Sequence, residues 1–124
     1  MGLNKADFLK PRDVPQEIVQ VPELGGHITV RGLTARGRSQ FESRLQSESG
    51  KISKQKQTEI RERLLVACCI DDNGDLLFTD QDISAIGNLP ASVIEPIVNV
   101  AQRLSGLSTD TEALAKNSDE TTGD

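Results

Sequence analysis

The stretch from Val66 to Leu107, VACCIDDNGDLLFTDQDISAIGNLPASVIEPIVNVAQRLSGL, leaves little freedom in how this chain folds. An apolar helix end runs into Asp71-Asp72-Asn73-Gly74-Asp75, where Asn-Gly is a strong reversal signal. Leu76-Leu77-Phe78 then reads as a short hydrophobic strand. Thr79 with Asp82 resembles a capping box, with Asp where Glu or Gln is usual. The helix it opens carries Ile83 and Ile86, and Pro90 suits the first turn of the next one. In that last helix, to about Ser105, Val93, Ile97, Val100, Ala101 and Leu104 form a stripe widened by Ile94 and Val98. This is the most hydrophobic helix and the expected centre of the core. Pro96 removes one of its hydrogen bonds, so the helix should start late or bend there. Gly106 closes it. Every polar residue in this stretch has a structural task, and none points to chemistry.

The first half is read in the same way. Asn4 can cap a short turn carrying Phe8 and Leu9 that Pro11 stops. Phe8 is expected to clip this leader onto the core. Gln16–Val21 and the HITVRGL run from His27 to Leu33 are β-branched segments joined by the Gly-containing loop Pro22–Gly26, which predicts a hairpin. A helix must cover one face of it. Thr34 is the expected N-cap of a helix to about Glu48, ended by Ser49-Gly50. Ser53 then caps a second helix to about Cys69, with Ile60, Leu64, Ala67 and Cys68 on one face and Leu65 beside them. Thr109 and Glu112 make a further capping box before Ala113-Leu114-Ala115. The result is an α+β fold, mainly helical, with a small antiparallel hairpin or sheet at the N-terminal side. It comprises a flexible leader (1–15), a single domain (16–116) and a disordered tail (117–124), which holds no apolar residue.

At 124 residues with three Phe and no Tyr or Trp, the core must be built from Leu, Ile, Val and Ala. The net charge of −5 is unevenly spread. Residues 1–63 hold twelve Lys/Arg against eight Asp/Glu; residues 64–124 hold two against eleven. Such asymmetry suggests opposed electrostatic faces, either simply solvated or complementary to a partner or a second copy. The basic residues Arg36, Arg38, Arg44, Lys54 and Lys56 are therefore the candidate partner-binding residues.

Sites of chemistry are not evident. The acidic turn has Gly at its fourth position and Leu76 at its sixth, where a calcium loop needs Gly. Cys68 and Cys69 are adjacent, whereas metal-binding cysteines stand two to four residues apart, and they are read as buried, reduced thiols. His27 is the only histidine and alternates with strand residues; no nucleophile elbow or phosphate-binding glycine loop is present. The expectation is no enzyme, no cofactor and no metal. An acidic pI with almost no aromatics argues against nucleic acid, and no window is long and apolar enough for a membrane.

The order of these pieces resembles the lambda-type tail assembly chaperones of long-tailed bacteriophages, including relatives of the HK97 kind. The resemblance rests on Val30-Arg31-Gly32-Leu33, Arg38, Phe41, Asp71, Gly74, Leu77-Phe78, Asp82, Leu89-Pro90, Leu104, Ser105-Gly106 and Leu107, and covers about residues 28–117. It implies a non-catalytic morphogenesis factor. Such a chaperone binds the tape measure protein, helps recruit tail tube protein subunits, works in the host cytoplasm as a homo-oligomer, and is absent from the mature virion. It also implies a longer frameshifted form of the same chain, joined near Ala115-Lys116-Asn117-Ser118. Two alternatives stand beside it: a phage head–tail connector or tail structural protein, and a small nucleic-acid-associated regulator using the basic helices.

Overall fold

The computed structural model describes residues 1–46, 50–51 and 54–107. Helix α1 (Lys5–Leu9) starts where Asn4 Oδ1 accepts the Asp7 amide at 2.8 Å. Strands β1 (Gln16–Val21) and β2 (Gly26–Arg31) form the expected hairpin. A 3-10 turn at Pro22–Leu24 and Gly25 in the left-handed region (φ 72°) join them. The register sets Val19 opposite Ile28 and Glu17 opposite Val30. Helix α2 (Ala35–Arg44) is capped by Thr34 Oγ1, which accepts the Gly37 amide at 2.9 Å.

The second basic segment departs from expectation. Helix α3 (Lys54–Thr58) is separated by a turn at Glu59 from α4 (Ile60–Cys68), so the polar KQKQT part does not continue the buried helix in one piece. Helix α2 also stops at Arg44, short of Glu48. The predicted signals at Ser49, Ser53, Thr109 and Glu112, and the 117–124 tail, lie outside the described residues.

Cys69-Ile70 is not helix end but a third strand, β3 (Cys69–Ile70). It pairs antiparallel with β2, Thr29 against Ile70 and Val30 against Cys69. Among the described residues the strand order is β1-β2-β3, with β1 at one edge. Leu76-Leu77-Phe78 does not form a full strand. Leu76 makes one bridge to Ile70, and the Leu77 amide reaches the Cys69 carbonyl at 3.0 Å. The Asp71–Asp75 turn between them is closed by its own groups: Asp71 Oδ1 accepts the Asn73 and Asp75 amides at 2.8 and 3.0 Å. Gly74, at φ 85°, provides the left-handed residue.

Thr79 and Asp82 do form a capping box, the Asp82 carboxylate accepting the Thr79 amide at 2.8 Å. Helix α5 (Ile83–Gly87) follows, then α6 (Ala91–Leu104) with Pro90 as its N-cap. Pro96 lies inside α6, among residues that remain helical. Its missing N–H frees the Ser92 carbonyl, and Ser92 and Pro96 are both on the exposed side, where water can take that bond. The helix ends in a Schellman motif: the Leu107 amide donates to Gln102 O at 2.8 Å and the Gly106 amide to Arg103 O at 3.2 Å, with Gly106 at φ 70° and Leu107 buried.

The core lies between the sheet and the α4–α6 pair. Val21, Val30, Leu64, Leu65, Val98 and Ala101 are at its centre, with Phe41, Ile83 and Ile86 from the flanking helices. The α6 stripe is as the sequence suggests except for Gln102, which is fully buried with neither side-chain polar atom partnered among the described residues. Phe8 does not clip the leader down; it is 66% exposed. Gly32 packs directly on the Leu104 carbonyl, and the Leu33 amide donates to Ser105 Oγ at 3.0 Å. The end of β2 and the end of α6 are thereby locked together.

Both cysteines are in the core. Burial pushes the Cys68 thiol up to about 11, against a smaller opposing effect of its contact with Ser105 Oγ at 3.8 Å. Burial pushes Cys69 up to about 12, with Cys68 adding to the shift. The folded thiols therefore hold their protons above the ordinary value of 9.0, while the unfolded thiols lose theirs. Stability contributed by the neutral thiols is intact below pH 9 and is lost as pH rises from 9 toward 11. In urea titrations, the unfolding free energy should fall over that window, and Cys68→Ala with Cys69→Ala should flatten the slope while lowering stability overall. Separately, Gly32→Ala drives a methyl into the Leu104 carbonyl and should cost about 1–3 kcal/mol, seen as a lower urea midpoint with an unchanged m-value.

Candidate functional site

An open groove of about 1100 Å³ is formed by the described residues. Five separate segments build it: the chain before β1 (Arg12, Asp13, Val14), the end of β2 (Arg31–Leu33), α2, the middle of α4, and Leu76–Asp80. Apolar side chains line its walls, chiefly Leu33, Phe41, Val66 and Phe78. Four arginines, Arg12, Arg31, Arg44 and Arg63, stand around it, opposed by Asp13 and Asp80.

Most of these arginines are oriented by their own chain. Arg12 Nη2 donates to the Asp7 carbonyl at 2.8 Å, and its Nη1 reaches the carbonyls of Phe8 and Lys10. Arg31 Nη1 donates to Gly74 O at 3.0 Å, tying β2 to the acidic turn. Arg63 Nη2 pairs with Glu59 Oε1 at 3.0 Å, at the turn between α3 and α4. Arg63 Nε is buried and has no hydrogen-bond partner among the described residues. The arrangement, basic at its rim and apolar on its walls, can hold an acidic, partly apolar segment.

The five basic residues singled out in the sequence are spread over two helices. Arg44 lines the groove. Arg36 and Arg38 are both exposed on α2 but point about 200° apart around the helix, and Arg38 is within 3.4 Å of Glu42 one turn on. Lys54 and Lys56 lie on α3. The groove arginines Arg12, Arg31 and Arg63 come from the leader, β2 and α4, far apart along the chain, so only the folded structure groups them.

Other chemistry-bearing residues are set apart. His27 points to the outer face of the sheet, whereas Cys69 points to the core face with Val30. Among the described residues, no cluster of His, Cys, Asp or Glu is placed to hold a metal ion, and no helix is long and apolar enough to cross a membrane. A row of residues, Ile18, Thr29, Ile70 and Leu76, runs across the outer face of the sheet, with Ile18 58% and Leu76 52% exposed at its ends.

No family model matches the sequence, and no curated protein matches it either. The fold does have a solved counterpart. The structure of the bacteriophage HK97 tail assembly chaperone superposes on it with a TM-score of 0.55 at 14% sequence identity, over 84% of this chain and 93% of that one. The α+β fold described above is therefore shared with that of the HK97 tail assembly chaperone.

Proposed function

We propose that this protein is a tail assembly chaperone of a long-tailed bacteriophage, one that binds the tape measure protein and helps recruit tail tube subunits. The fold shared with the HK97 chaperone across nearly all of that chain supports this reading most strongly. The ordered sequence resemblance supports it independently. Its residues fall at the structural joints of this fold: Gly32 against Leu104, Phe41 in the core, Asp71 and Gly74 in the turn, Asp82 in the capping box, and Gly106 at the end of α6.

In this role the protein acts in the host cytoplasm, in many copies, together with a longer frameshifted form of itself, and leaves before the virion is complete. Arg36, Arg38, Arg44, Lys54 and Lys56 supply positive charge on more than one face of α2 and on α3. These positions meet the client or the acidic region of a neighbouring subunit, where Asp71, Asp72, Asp75, Asp80 and Asp82 are concentrated. Exposed charges attract such partners weakly and reversibly, which suits a coat that must come off.

Co-expression with the tape measure protein of its phage should keep that protein soluble and recover both in a pull-down. An insoluble client that never co-purifies would overturn the chaperone reading. Reversing all five cations to Glu should weaken capture by about tenfold or more, at ~0.2–1 kcal/mol for each exposed charge contact. Capture unaffected by the five reversals would move the binding surface elsewhere. Purified virions should lack the protein.

A further inference from the structure

Helices α4 and α6 share the core with Val21 and Val30 on one face of the sheet. The outer face leaves apolar side chains uncovered. Ile18, Thr29, Ile70 and Leu76 cross it in a row about 14 Å long, at about 4.8 Å between neighbouring strands. Ile18 and Leu76, at the two ends, are each more than half exposed.

Charges of both signs border this row. Arg31 shares its face, paired across the strands with Gln16, and lines the groove with Arg12 and Arg44. Asp72 and Asp75 are exposed in the turn that leads into Leu76. Arg31 touches that turn, but it donates to the Gly74 carbonyl rather than to a carboxylate. Arg12 likewise donates only to carbonyls. Among the described residues, none of Arg12, Arg31, Arg44, Asp72 and Asp75 is in an ion pair. The chain thus sets cations and carboxylates side by side around exposed apolar side chains and leaves both signs uncompensated. Such a surface is complementary to itself. After a two-fold rotation the carboxylates of each copy lie against the arginines of the other, and the apolar rows meet at the axis.

We propose that a second copy of this chain docks on the outer face of the sheet about a two-fold axis. Asp72 and Asp75 of each copy face Arg12 and Arg44 of the other, with Ile18 and Leu76 covered between them. The contact closes at two, because both copies use the same patch. The inference stands on this chain's own residues and does not depend on the chaperone assignment.

Analytical ultracentrifugation of the full chain tests it. A dimer should form in low salt and weaken as salt rises. Arg12→Glu with Arg44→Glu should weaken it about tenfold or more, and Asp72→Lys with Asp75→Lys should do the same. All four side chains are exposed, so unchanged urea midpoints serve as the folding control. Mixing the two double variants should restore a one-to-one pair, since the acidic groove of one then meets the basic turn of the other. Ile18→Ser, also outside the core, should weaken the wild-type dimer. A monomer at every concentration in low salt would overturn the proposal. So would association that neither the charge reversals nor Ile18→Ser disturbs, or a mixture that stays monomeric. Growth beyond two copies through the same residues would overturn it as well, because the contact would then be head-to-tail.

Discussion

Helix α6 can end against the sheet because Gly32 has no side chain. The Leu104 carbonyl occupies the space a Cβ would need, and Ser105 Oγ then receives the Leu33 amide. This contact fixes the end of α6 against the sheet, and Val98 and Ala101 of that helix share the core with Val30 and Val21. The Schellman turn through Gly106 and Leu107 completes the joint by satisfying the last helix carbonyls and burying one more leucine. Arg103 reaches across to Glu17 of β1 at 2.8 Å, but that pair is exposed and adds little. The joint is made of backbone and close packing rather than charge.

Local signals in the sequence translated into structure wherever a single turn of chain decided the outcome. Asn4, Thr34 and Thr79 cap as their chemistry suggests, Asn73-Gly74 reverses the chain, and Pro90 and Gly106 bracket α6. Val19 and Val21, with Gln20 between them, face the core side of the hairpin, while the apolar Ile18 is left exposed on the other side. What the sequence did not show depends on distant partners. Cys69 and Ile70 continue an apolar helical pattern, yet they peel away because β2 offers Val30 and Thr29 as ladder partners. The same pull leaves Leu76 to make only a bridge. Gln102 falls on the core-facing stripe by helix geometry alone, and no polar residue was expected there.

The candidate site was legible only in part. The concentration of positive charge in the first half was visible as composition, and Arg44 does line the groove. The grouping of Arg12, Arg31 and Arg63 with it was not, since these residues are separated by long stretches of chain and meet only after the sheet has formed. A fold shared at 14% identity has the same physical logic. The residues that carry the resemblance are joints, caps and turns, where few side chains can substitute.

The edge position of β1 has a consequence for a protein proposed to act in many copies. An uncovered strand invites uncontrolled stacking of neighbours through their main chains. Here Pro15 and Pro22 bracket the strand, and neither has an amide hydrogen to offer. The exposed ladder is limited to the six residues Gln16–Val21, about 20 Å, with Gln16, Glu17 and Gln20 as polar interruptions. Growth by strand addition would run out within one short segment, leaving ordered contacts between side chains as the route by which copies meet.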